Sequence, residues 1–215
     1  MRLLSGEAYR RLVQDTRVLE HDRFGDKVLQ RRDDRVIKLF RTKRLLSLSL
    51  IYPYSLRFSR NARKLNRLGV PSVAVEQLFY CASIRRHGVV YPLLPGETLG
   101  CLLEGRPNRD ALMQQLARFI AELHQKKIYF RSLHLGNILQ LPDGRLGLID
   151  VADLRFSLLP LTLRQRRRNF RHLLRRAEHR ALFEQFGIER FVEHYLDAAD
   201  IPQQKKAGFQ TLIMG

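Results

Sequence analysis

A chain of 215 residues with 39 Lys and Arg against 21 Asp and Glu carries a formal charge of +18, and this balance calls for an anionic partner: nucleic acid, phospholipid or a phosphorylated sugar. With 45% hydrophobic residues it is globular, able to bury one sizeable core or two lobes sharing an interface. No run approaches the ~18 apolar residues of a membrane-spanning helix, and MRLLSGEAYRRLV lacks the apolar centre and small-residue cleavage site of an export signal, so a cytoplasmic protein is expected.

In chain order, residues 1–13 read as a short amphipathic helix with Leu4, Tyr9, Leu12 and Val13 on its apolar side. Strands at 17–21, 27–30 and 35–40 are separated by Asp22-Arg23-Phe24-Gly25 and Asp33-Asp34, which predicts an antiparallel meander. From Arg35 to Val75 there are ten Lys or Arg and no Asp or Glu. Within that stretch, residues 41–56 are basic and apolar and break at Pro53; they read as a helix and loop packed on the sheet, with membrane contact as the alternative. A helix over 57–68 ends at Gly69-Val70-Pro71, and strands at 72–80 and 89–93 bring the antiparallel sheet to five. Cys81 and Cys101 have no metal spacing and read as buried thiols.

Asn108 or Asp110 can cap a long helix whose apolar face repeats at Leu112, Leu116, Phe119, Ile120 and Leu123. A loop follows, then two strands joined by Pro142-Asp143-Gly144. Asn137 ends the loop, and Asp150 ends the apolar run 146–149 thirteen residues further on. An amide and a carboxylate at the ends of adjacent strands suit a hard cation such as magnesium carrying nucleotide phosphates. Helical stretches are predicted at 162–180, 181–186 and 188–199, and residues 203–215 as a loose tail. Eight arginines fall between Arg164 and Arg180, which form either a solvated helix face or an anion-binding surface.

The order helix, Leu123-His124, loop, Asn137-Ile138-Leu139, hairpin, Ile149-Asp150 resembles the catalytic centre of the protein-kinase-like fold, in its bacterial small-molecule and sugar kinase branch. The short helical tail with its RRRNFRHLLRR run resembles that of the lipopolysaccharide core kinases, the WaaP-like Kdo and heptose kinase family; the resemblance covers roughly residues 17–200. It implies an α+β, bilobal kinase-like fold: a small antiparallel-sheet N-lobe over 1–92 and a reduced helical C-lobe over 93–202. Asp150, followed by Val151-Ala152 in place of Phe-Gly, then matches the magnesium-binding Asp, with Asn137 as second ligand. Lys38 matches the third-strand lysine that holds the phosphates of ATP, and residues 91–99, YPLLPGETL, match the hinge, placing Tyr91 and Leu93 beside the adenine.

The sequence departs from the family at three points. Ser132 stands where the family has its catalytic Asp, Phe130 stands where it has the preceding His, and the helix over 57–68 offers Phe58 or Asn61 in place of the Glu that pairs with the lysine. Ser132 keeps its proton near pH 7 unless another base activates it. His134, two residues on, ordinarily titrates near neutrality and is either a replacement base or a loop-structuring or phosphate-contacting side chain. The expectation is therefore an atypical ATP- and Mg2+-dependent sugar kinase, acting on a heptose or Kdo hydroxyl of the lipopolysaccharide inner core at the inner-membrane surface. The alternative is a pseudokinase serving as a binding or regulatory partner in envelope biogenesis. Nucleic-acid binding has only the charge in its favour, since no helix-turn-helix, zinc or aromatic-platform signature accompanies it.

Overall fold

A capping serine decides the N-terminus. Ser5 accepts a hydrogen bond from the Ala8 backbone N–H and starts helix α1 at Gly6–Val13, which leaves strand β1, Arg2–Leu4, extended ahead of it. The single helix expected over 1–13 is thus a strand and a helix. The structure, a computed structural model, describes residues 1–41, 53–105 and 109–214. Its fold is α+β, and the described residues divide into two compact units, Met1–Pro95 and Gly96–Gly215.

The first unit is built on the meander β2 (Arg17–Asp22), β3 (Gly25–Gln30) and β4 (Arg35–Arg41). Helix α2 (Tyr54–Arg67) and strands β5 (Gln77–Cys81) and β6 (Arg86–Pro92) follow. The sheet order is β1-β5-β6-β4-β3-β2. It has six strands rather than five and is mixed rather than antiparallel, because Arg2–Leu4 pair in parallel with Phe79–Cys81. The strand expected from residue 72 starts only at Gln77, and the Asn66 amide hydrogen-bonds both backbone groups of Ser72. Period-two alternation sends Ile37 and Leu39 of β4 to one face, where α1 closes a core with Leu29, Phe79 and Val90. The opposite face receives α2, whose Ser55, Phe58, Ser59, Ala62 and Leu65 recur at helical spacing. There Phe58 meets Phe40 and Tyr91 at ring-centroid distances of 5.8 and 5.5 Å. The segment expected to pack on the sheet at 42–52, and Asn108, lie outside the described residues.

In the second unit, strand β7 (Glu97–Thr98) and helix α3 (Leu99–Gly105) precede helix α4 (Asp110–Gln125). Arg109 occupies the N-cap of α4, so Asp110 instead sits in its first turn and pairs with Arg190 at 2.9 Å. Cys101 on α3 is exposed, unlike the buried Cys81. Four short strands follow: β8 (Ile128–Phe130), β9 (Ile138–Gln140), β10 (Leu146–Leu148) and β11 (Leu154–Phe156). They form a three-stranded sheet in the order β10-β9-β7 and a two-stranded antiparallel pair of β11 with β8. Helices α5 (Leu163–Leu173), α6 (Ala177–Phe186), α7 (Ile188–Ala198) and α8 (Gln203–Met214) complete the chain.

Two expectations for this region change. The stretch expected as one helix over 162–180 breaks at residues 174–176, and the loose tail expected over 203–215 is helix α8 through Met214. The tail orders because Phe209, 1% exposed, packs edge-on to Phe170 and tilted against Tyr195, with centroids 6.4 and 6.2 Å away. No helix among the described residues is long and apolar enough to cross a membrane.

Phe209→Ala should therefore destabilise the protein by about 3–5 kcal/mol, the usual range for emptying a buried phenyl site. Urea unfolding followed by circular dichroism checks this. An unchanged midpoint would return residues 203–214 to the status of a dispensable tail.

Candidate functional site

The loop that carries the candidate site residues hangs from a buried polar network. Asn169 on α5 donates from Nδ2 to the carbonyl of Phe130, the last residue of β8, at 2.8 Å. That bond fixes the amide's orientation, so Asn169 Oδ1 accepts from His124 Nε2 at 3.1 Å, and His124 Nδ1 accepts from the Tyr195 hydroxyl at 2.8 Å. Tyr195 oxygen accepts in turn from Arg166, whose guanidinium also reaches the Leu161 carbonyl and the Asp200 carboxylate. Every partner is satisfied with His124 neutral. Burial accordingly pushes His124 down to about 4, with the Arg166 charge acting in the same direction and the Asn169 bond opposing both.

Beyond Phe130 the chain passes through Arg131 and Ser132 into a 3-10 turn, Leu135–Asn137, and on into β9. Asn137 is 6% exposed and donates from Nδ2 to the Ser132 carbonyl at 2.9 Å, a bond that does not engage its Oδ1. The Asn137 carbonyl accepts from the Ile149 N–H at 3.0 Å, so the hairpin returns Asp150 to the Asn137 side. Asp150 adopts φ 55, ψ 44, the left-handed region, before a second 3-10 turn over Val151–Asp153. A branched or bulky residue would pay for this conformation, whereas Asp tolerates it.

Arg131, Ser132, His134, Asn137 and Asp150 line one cavity of about 480 Å³, with His172, Arg175 and Arg176. The predicted catalytic and metal residues of this unit are thus brought together. Among the described residues no group of three or more His, Cys, Asp or Glu could hold a metal ion by itself. One amide oxygen and one carboxylate fit magnesium, which commonly takes one or two protein ligands and draws the rest from phosphates and water. His134 differs from its expectation. Burial, with the charges of Arg176 and His179 beside it, lowers it to about 4, away from neutrality. Its ring stacks on His179 at 6.1 Å, and Nδ1 has no hydrogen-bond partner among the described residues.

The arginine run divides by function. Arg166 points inward and is 3% exposed, with its guanidinium 2.7 Å from Asp200, while Arg176 and Arg180 lie beside Glu178 and Glu184. Arg164, Arg167, Arg168, Arg171 and Arg175 pair with no carboxylate among the described residues and, with His172, line a second concavity of about 640 Å³. His172 and Arg175 border both cavities. Burial and the surrounding Arg168, Arg175, Arg131 and Arg171 hold His172 below its ordinary value.

Lys38, Tyr91 and Leu93 belong to the first unit. Lys38 is buried in β4, and its Nζ lies 5.8 Å from the centroid of Phe58, one of the two residues considered for the missing Glu. Tyr91 is buried in β6 on the same ring. Leu93 exposes its side chain, but its N–H donates to the Asp34 carbonyl at 2.8 Å and does not serve an adenine edge. The sequence reading missed Asp153, whose Oδ2 accepts from Ser132 Oγ at 3.4 Å, and it missed Asn169 as the anchor of the loop. Only the pairing of β8 with β11, 24 residues apart at Leu154 and Phe130, puts the first of these in place.

No protein-family model matches the chain, and no curated protein matches it. Among solved structures it is similar to the crystal structure of monomeric WbdD, with a TM-score of 0.51 and 16% identity, over 87% of this chain and 44% of that one. The chain spans less than half the length of that structure. At this identity the likeness shows a shared fold and nothing of the chemistry.

Two imidazoles held neutral make the fold acid-sensitive. His124 and His134 protonate in the unfolded chain near 6.5 but in the folded chain only near 4, so the unfolded state binds more protons across that window. Stability should be full above pH 6.5 and fall as pH drops toward 4, with a slope on the order of 1 kcal/mol per pH unit from the fully buried His124. Urea midpoints at pH 7.5, 6, 5 and 4.5 test this; a level series contradicts it.

Proposed function

We propose that the protein is an atypical, kinase-like phosphotransferase that moves the γ-phosphate of ATP to a hydroxyl of a phosphorylated sugar acceptor, a heptose or Kdo of the lipopolysaccharide inner core, at an anionic membrane surface. The observation that carries this reading is that two cavities in one unit share the lining residues His172 and Arg175. Ser132, His134, Asn137 and Asp150 line the first, and His172 and Arg175 also line the second, a cleft whose arginines pair with no carboxylate among the described residues. In this reading Asn137 Oδ1 and Asp150 hold Mg2+, which neutralises charge on the nucleotide phosphates.

The arginine cleft supplies the acceptor side. Guanidinium groups bind phosphate bidentately and retain their charge at any working pH, so a concave cluster with no carboxylate among the described residues suits a multiply phosphorylated ligand. Leu158 and Leu159, 92% and 74% exposed in the loop ahead of α5, add an apolar tip suited to a membrane surface. The second reading, a pseudokinase serving a partner in envelope biogenesis, is favoured by one observation: helix α2 carries no Asp or Glu where the family has the partner of its strand lysine.

Calorimetry should detect Mg-ATP binding to the parent and at least about tenfold weaker binding to Asp150→Ala. The absence of binding and of phosphate transfer to inner-core oligosaccharide would replace the kinase with the pseudokinase. A further outcome concerns the surface. Binding to vesicles containing anionic lipid should fall steeply between low and high salt and weaken in Arg168→Glu with Arg171→Glu. Equal binding to neutral vesicles contradicts the membrane role.

A further inference from the structure

The loop has lost its acidic residue, yet a carboxylate lies directly behind the serine that replaced it. Strands β8 and β11 pair antiparallel with Leu154 opposite Phe130, so the residues just past the ladder, Asp153 and Arg131, face each other, and Ser132 follows at once. The 3-10 turn Val151–Asp153 closes through the Leu154 N–H onto the Val151 carbonyl and sets the direction of the Asp153 side chain. Ser132 Oγ donates to Asp153 Oδ2 at 3.4 Å. This is a long bond, of the kind that tightens when a substrate occupies the site.

The environment of that carboxylate is unusual for this chain. Lys and Arg outnumber Asp and Glu by 39 to 21, and most acidic side chains in the second unit that face a partner face a cation, as Asp110, Asp143, Glu178, Glu184 and Asp200 do. Asp153 is half-buried, forms no ion pair among the described residues, and has a hydroxyl as its partner. A lone serine in a kinase-like loop is a poor proton acceptor, but a serine hydrogen-bonded to a carboxylate can pass a proton on. His134, the other candidate, stacks on His179 rather than reaching Ser132.

We infer that Asp153 is the displaced equivalent of the missing acid and acts through Ser132; the inference rests on the phosphotransferase reading above. As the acceptor oxygen attacks the γ-phosphorus of a nucleoside triphosphate, its proton passes to Ser132 Oγ while the Ser132 proton passes to Asp153 Oδ2. The new bond joins acceptor oxygen to phosphorus, and the bond from phosphorus to the β-phosphate bridging oxygen breaks, leaving a nucleoside diphosphate. Asp153 then returns its proton to solvent. Ser132 touches the acceptor, and Asp153 is the positioning residue behind it. The pair accounts for a serine at the loop position without requiring the site to be silent.

The experiment compares the parent, Asp153→Asn, Ser132→Ala and the reciprocal exchange of Ser132→Asp with Asp153→Ser. It measures Mg-ATP affinity by calorimetry and transfer from ATP to inner-core oligosaccharide by steady-state kinetics. Asp153→Asn should retain the parent's melting temperature and nucleotide affinity and lose kcat on the order of 10²- to 10⁴-fold, with KM for the acceptor little changed. The reciprocal exchange should recover most of that loss, because the carboxylate is again within reach of the acceptor. A purely structural Asp153 would predict the reverse: a lowered melting temperature, raised KM and no recovery on exchange. Transfer by Asp153→Asn at the parent's rate overturns the inference and leaves the kinase reading standing. A parent that neither binds Mg-ATP nor transfers phosphate overturns both.

Discussion

The hydrogen bond from Asn169 to the Phe130 carbonyl is the constraint on which the second unit's chemistry depends. Phe130 ends a three-residue strand, too short to hold a loop in place unaided, and its carbonyl is tied to a side chain on α5 that is 39 residues away in sequence. Behind it the chain of bonds runs through His124 on α4, Tyr195 on α7 and Arg166 on α5 to Asp200. Each link has one donor and one acceptor, and this holds only with His124 neutral. A second proton, on His124 Nδ1, would remove the acceptor for the Tyr195 hydroxyl. Buried polar networks of this kind are costly when one member fails, since an unmade bond in a dry site exposes the full desolvation penalty. The loop's position is therefore coupled to the helical packing around Phe170, Tyr195 and Phe209.

A consequence is that eight arginines close together in sequence do not act as one patch. Helical geometry turns Arg166 inward, where a buried guanidinium is tolerable only because Leu161, Tyr195 and Asp200 take up its donors. The residues on the outward face, Arg164, Arg167, Arg168, Arg171 and Arg175, are left to repel one another around a concavity. Like charges held that close are an expense to the folded chain unless an anion offsets them. Their cleft shares His172 and Arg175 with the cavity that Asn137 and Asp150 line, which gives part of the basic composition a defined place in the fold.

The two carboxylates near the loop show how environment separates similar groups. Asp150 sits in a left-handed conformation at the end of a hairpin whose Ile149 N–H is bonded to the Asn137 carbonyl, an arrangement suited to ligating a cation together with the neighbouring amide. Three residues later, Asp153 faces a hydroxyl across an antiparallel ladder. One lies beside an amide and the other accepts from a hydroxyl, although nothing in their local sequence, Ile149-Asp150-Val151-Ala152-Asp153, tells them apart.

What the sequence by itself determined is what periodicity and turn chemistry encode over short range. The meander over residues 17–40, the α4 face at Leu112, Leu116, Phe119, Ile120 and Leu123, and the hairpin turn at Gly144 all depend on neighbours within a few positions. The spacing of Asn137 and Asp150 was legible because a single hairpin connects them. What only the tertiary structure decided depends on partners far apart in the chain. Arg2–Leu4 became a strand because Phe79–Cys81 offered an open edge, and residues 203–214 became a helix because Phe170 and Tyr195 gave Phe209 a place to be buried. Asp153 acquired a partner because two three-residue strands paired. No local pattern specifies such contacts, since their free energy comes from burial and hydrogen bonds that exist only once the distant segment has arrived.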